Sequence, residues 1–108
     1  MRAKPTVDTL EKMNDEVLKV SGIERTILCM SIDSILNEFE DWLENSQDAK
    51  DMHPNPSGST LFITEMKAPL YCLAGLNDYY NDMDQCAAWL RSGINKLKMR
   101  HNLNLNKI

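Results

Sequence analysis

Any chemistry in this chain of 108 residues would have to come from three cysteines, two histidines, sixteen acids and a few aromatic rings. Cys29, Cys72 and Cys86 show none of the paired spacings that hold zinc, haem or a redox disulfide, and each sits on the apolar face of a candidate helix. Thiols so placed read as core side chains in a reducing compartment. His53 lies in a proline-containing polar stretch and His101 close to the end of the chain, settings that suit solvated rings better than a ligand or general base. There is no Glu-x-x-His pair of the di-iron bundle type, no phosphate-cradling glycine loop and no serine in a nucleophile-elbow context. Catalysis has no visible carrier, and neither a metal nor a cofactor is expected.

Charge is the next resource, and it is segregated. From Asp33 to Asp51 seven acids face a single base, Lys50, in a chain whose net charge is only −4. From Arg91 onward there are five bases and no acid. Acids in the last turns of a helix oppose its macrodipole, so local stability does not explain them, whereas bases closing the final helix complement theirs. Two readings follow. In an up-down bundle the ends of the second and fourth helices share a pole and can offset each other. Alternatively, Glu38, Glu40, Asp41, Glu44 and Asp48 form an acidic surface for a basic protein partner, with Arg91, Lys96, Lys98 and Arg100 as a separate basic surface.

Two weaker patterns bear on function. Residues 16–32 have the helix, glycine turn and helix order of a helix-turn-helix, but the second helix offers only Arg25 as a base and runs into the acidic stretch, which phosphate would repel. Nucleic acid is therefore an unfavoured partner, with the basic C-terminal segment as its other contact. Trp42, Tyr71, Tyr79, Tyr80 and Trp89 could line a ligand pocket between helices, although aromatics at this spacing more often fill a core.

The elements that must position these residues are helical. Only 4 glycines and 4 prolines punctuate the chain, too few for the regular turns of an all-β domain. Val7, Leu10, Met13, Val17 and Val20 make one stripe, predicting a first helix over about 8–20 with Asp8 and Glu11 as a capping box and Gly22 as its stop. Ser21 and Glu24 can cap a second helix over 23–48, carried by Leu28, Ile32, Ile35, Phe39 and Trp42 and widened by Ile27, Leu36 and Leu43. Residues 46–60 read as a loop. Phe62, Met66, Leu70, Leu73 and Leu76 predict a third helix over 60–78 that Pro69 should kink or delay, with a short strand at 61–64 as the alternative. Tyr80, Met83, Ala87, Leu90, Ile94 and Leu97 predict a fourth over 82–101, either separated by a turn near 77–82 or fused with the third into one kinked helix. The tail 102–108 loses the period and should fray.

The fold class expected is therefore all-α, a three- to four-helix antiparallel bundle in one domain spanning 1–108. No run approaches the length of a membrane span, and the N-terminus lacks an export signal, so a cytoplasmic protein is expected. The expected function is protein–protein interaction without catalysis, as a regulator, inhibitor or adaptor that self-associates into a homo-oligomer. A nucleic-acid-binding regulator and a small-ligand-binding bundle are the alternatives.

Overall fold

The computed structural model describes residues 7–47, 56–78 and 80–106. Among the described residues there are four helices: α1 (Val7–Glu16), α2 (Ile23–Asn45), α3 (Pro56–Leu73) and α4 (Met83–Asn106). α4 lies against α3 and α1, and α2 against α1 and α3, so the helices close into a square with α2 and α4 on one diagonal. Bonds between neighbours show the directions. Thr26 and Asp33 of α2 reach Ala74 and Lys67 of α3, while Glu11 and Asp15 of α1 meet Lys98 and Arg91 of α4. Both pairs are antiparallel, as an all-α up-down bundle requires.

One core runs through all four helices. Leu10 comes from α1, Ile32, Leu36, Phe39, Trp42 and Leu43 from α2, Ile63, Met66 and Leu70 from α3, and Leu90, Ile94 and Leu97 from α4. All three cysteines are buried in it. Burial pushes the Cys29 and Cys86 thiols up to about 11, Cys86 also through its hydrogen bond with Cys72, so both stay protonated near neutrality. The α2 stripe is rotated from expectation. Leu28 and Ile35 are only partly covered while Leu36 and Leu43 are central, and Ile27, expected to widen the core face, lies on the outside.

Several helix ends differ from the periodic pattern, and capping chemistry explains most of them. α1 starts at Val7, which puts Asp8 inside the first turn rather than at the N-cap, and it stops at Glu16 instead of residue 20. There the Val17 and Val20 carbonyls accept from Arg25 Nε at 3.0 and 3.1 Å, so the partner of these carbonyls is a side chain of the next helix. α2 is preceded by Gly22 at φ +59°, and no side chain caps it; the Ser21 and Glu24 box does not form. It ends at Asn45, short of residue 48, where the Asn45 amide turns back onto the Asp41 carbonyl and carboxylate and Ser46 is extended. α3 begins four residues earlier than expected, because Pro56 suits a first helical turn, where its missing N–H costs nothing. Residues 56–60, expected as part of the loop, are helical, 61–64 is helical rather than a strand, and Pro69 lies within α3 without delaying its start; the expected loop's residues 48–55 lie outside the described residues.

The third and fourth helices are separate. Leu76 N–H donates to the Tyr71 carbonyl and Gly75 N–H to Cys72, a Schellman stop with Gly75 at φ +78°. Asp82 then accepts from Gln85 N–H at 3.1 Å and opens α4. The backbone of 102–106, expected to fray, continues α4 to Asn106. A Cβ at residue 75 would meet open space, so replacing this glycine tests the backbone alone. Gly75→Ala is expected to lower the unfolding free energy by about 1–2 kcal/mol, and Gly75→Asn by less, since asparagine tolerates the left-handed region. Urea unfolding of the two variants checks both the loss and the order.

Candidate functional site

The acidic residues lie along the lower half of α2. Glu38 and Glu44 are exposed, Glu40 and Asp41 half-buried, and Asp48 falls outside the described residues. Arg91 and Lys98, expected on a separate basic surface, are engaged by α1. α2 and α4 do run to the same pole, but on the diagonal, and the α4 bases are matched by α1 instead. Arg91 Nη2 lies 2.7 Å from Asp15 Oδ1, and Lys98 Nζ 2.7 Å from Glu11 Oε1. That hydrogen bond and the Glu11 charge raise the Lys98 ammonium above its ordinary pKa. Lys96 is exposed on the outer side of α4; the Arg100 side chain lies outside the described residues. Solvated pairs of this kind contribute at most about 1 kcal/mol each, so they set register more than stability.

Charge counting misses the group that is most completely satisfied. Asp33, counted in the acidic run, is buried at the α2–α3 contact. Its Oδ1 accepts from Lys67 Nζ at 2.5 Å and from the Tyr71 hydroxyl at 2.9 Å, and its Oδ2 from Asn37 Nδ2 at 3.3 Å. Lys67 also donates to Asn37 Oδ1. Burial, then the Asp33 hydrogen bond and charge, push the Tyr71 hydroxyl up, keeping it a donor. The sequence does carry a signal for this: an acid between Ile32 and Leu36, inside an apolar stripe, calls for a cation on the facing helix. Every member of this cluster is engaged by another, which suits positioning of α3 on α2 better than chemistry.

An apolar surface was also missed. Ile23, Ile27 and Met30 are 74%, 60% and 45% exposed, and their spacing of four and three places them on one outer face of α2. Leu18, in the α1–α2 turn, and Leu76, two residues past the Ala74 carbonyl that Thr26 holds, are exposed at the same pole. Arg25, the one base of the second helix of the helix-turn-helix-like segment, is engaged by Val17 and Val20, so this face offers isoleucines to a phosphate backbone rather than cations.

The aromatic rings divide. Trp42 is core, packed edge to face on Phe39 at 6.0 Å, and Tyr79 lies outside the described residues. Trp89, expected inside, is 44% exposed on the outer face of α4 with Tyr80 against it at 4.8 Å and 67°. Together they wall one end of a cleft of about 250 Å³ between α3 and α4. A second cleft of about 180 Å³, between α1 and α4, is lined by Asn14, whose buried Oδ1 has no hydrogen-bond partner among the described residues; a bridging water is the ordinary occupant of such a place.

Among the described residues no cluster of three or more His, Cys, Asp or Glu side chains could hold a metal ion, and no helix is long and apolar enough to cross a membrane. Comparison with known proteins finds no matching family, no matching curated protein and no matching solved structure.

Proposed function

We propose that this chain works by protein contact rather than catalysis, as a small helical regulator or adaptor, and that its first partner is a second copy of itself. The observation that carries this reading is the outward stripe of Ile23, Ile27 and Met30 on α2. Single exposed apolar residues need no explanation, but three in register on one helix face, with Leu18 and Leu76 at the same pole, form a patch of the kind that marks an interaction surface. Covering each such side chain stabilises by roughly 1–2 kcal/mol. Six of them in a symmetric pair contribute about 6–12 kcal/mol, of the same order as the cost of association, so the dimer is expected to be weak.

The lower half of α2 complements this. Glu38, Glu40, Asp41 and Glu44 lie beyond the stripe, and their combined field would steer and orient a basic protein. The isoleucine face and the engaged Arg25 work against nucleic acid as the partner.

Sedimentation velocity between about 1 µM and 0.5 mM tests the reading. The protein should move reversibly from monomer to dimer across that range, and Ile27→Lys should remain a monomer with an unchanged circular dichroism spectrum. A wild-type chain that stays monomeric at the highest concentration, or an Ile27→Lys variant that still dimerises, rejects this surface.

A further inference from the structure

The turn between α3 and α4 brings together two cysteines that share no motif spacing. Cys72 lies in the last turn of α3 and Cys86 in the first turn of α4, and both are buried. Their thiols are hydrogen-bonded to each other. A thiol has one S–H to give, and that of Cys72 goes to the Tyr80 carbonyl at 3.1 Å. Cys86 is therefore the donor between the two sulfurs. The result is a one-way chain of hydrogen bonds from Cys86 through Cys72 to the Tyr80 backbone.

Ordinary thiol packing has neither feature. Cys29, also buried, has Arg25 as its charged neighbour rather than a second thiol. The acceptor that ends the chain, moreover, belongs to a residue that shapes a surface. The Tyr80 ring meets Trp89 edge to face at 4.8 Å, and the two wall one end of the α3–α4 cleft. Any reaction that removes the Cys72 S–H changes what holds Tyr80 in place.

We propose that Cys72 and Cys86 are a site of oxidative modification, closed by a peroxide to an intramolecular disulfide that releases the Tyr80 carbonyl from its thiol donor. The chemistry balances without a cofactor. One sulfur attacks the peroxide O–O bond and becomes a sulfenic acid as the first water leaves; the second thiol then displaces the sulfenic hydroxyl as a second water, forming the S–S bond. Two S–H bonds are lost, each sulfur gives up one electron, and the peroxide takes both. Thiols already in contact need only side-chain rotation to bond. Burial, then the Cys72 hydrogen bond, with the Asp82 carboxylate adding to them, holds the Cys86 thiol protonated. The resting fold therefore keeps the dithiol and answers sustained oxidant rather than traces of it. Once formed, the bond ties the end of α3 to the start of α4.

Treatment of the full chain with excess hydrogen peroxide, read by intact mass and peptide mapping, tests the assignment. The folded protein should lose about 2 Da, the mass of two hydrogens, carry one cross-link between Cys72 and Cys86, and leave Cys29 open to alkylation after unfolding. A thiol reductant should restore the parent mass. In a ¹H–¹⁵N spectrum the Trp89 indole N–H should shift on oxidation while that of the buried Trp42 stays in place. Cys29→Ser should cross-link as the parent does, and Cys72→Ser and Cys86→Ala should not. The chain unfolded in urea sets the dose, since its three thiols react there without shelter. A folded protein that stays unreacted at that dose, a cross-link through Cys29, or sulfinic acid in place of the disulfide overturns the site. A cross-link between Cys72 and Cys86 that leaves Trp89 unmoved overturns its connection to Tyr80. Ile27→Lys should close in the same way, because the site does not depend on the dimer.

Discussion

Asp33→Ala is expected to destabilise the protein by about 3 kcal/mol, a loss readable as a fall in melting temperature of roughly 10–20 °C. The cost comes from what is left behind. Lys67 keeps its charge at a contact where its side chain is only 17% exposed, and the Tyr71 hydroxyl and Asn37 amide lose their acceptor. The remaining access to water puts the expected value at the low end of the range for broken buried pairs. Lys67→Met alone should cost a similar amount, because it strands the carboxylate. The double variant Asp33→Leu with Lys67→Met removes both charges and should return to within about 1 kcal/mol of the parent. Urea unfolding of the three chains closes this cycle. A double variant as unstable as either single one would mean that α2 and α3 need the ion pair itself, not merely the absence of an unpaired charge.

Trp42→Ala should be the most damaging single change, at about 3–5 kcal/mol. The indole is 2% exposed, closes the lower core near the end of α2, and makes the edge-to-face contact with Phe39. Domains of this length have total stabilities of roughly 5–15 kcal/mol, so the variant should be partly unfolded at physiological temperature. Trp42→Phe keeps an aromatic ring and should lose about half as much. Trp89 provides the contrast: as a half-exposed residue it should cost less than about 1 kcal/mol when replaced by alanine. Were the two tryptophans to prove equally costly, the division between core and groove drawn here would fail.

Those two residues also show what the sequence could and could not convey. Trp42 lies on the four-three stripe of α2, whereas Trp89 lies beside the stripe of Ala87, Leu90, Ile94 and Leu97, and its aromatic character alone suggested a place in the core. Periodicity locates an apolar face but not its centre, so a rotation of α2 by less than a residue's arc moved Ile27 outside and Leu36 to the middle. Helix order and direction were legible because Gly22 and the apolar spacings agree, but the number stayed open between three and four, because the apolar spacing runs on through the 77–82 stretch where the chain turns. The ends were less so. They depend on partners distant in sequence, such as Arg25 on the Val17 carbonyl, or on Pro56 being read as a start signal rather than a breaker.

Charge was legible in amount and not in address. The acids of α2 and the bases of α4 are unmistakable in composition, but which helix neutralises which follows from adjacency in the square. Composition does not encode that adjacency. The α1 acids that answer Arg91 and Lys98 lie among the first sixteen residues, far along the chain from either run.

The diagonal separation of α2 from α4 also bears on how two copies would meet. With no α4 cation alongside, each α2 carries a nonpolar upper half and a negative lower half. Two such rods lying head to head would press carboxylate against carboxylate, whereas head to tail they keep like charges at opposite extremities while the isoleucines still touch. Electrostatic repulsion would thus choose the polarity of the proposed pair, leaving the greasy contact to supply its strength.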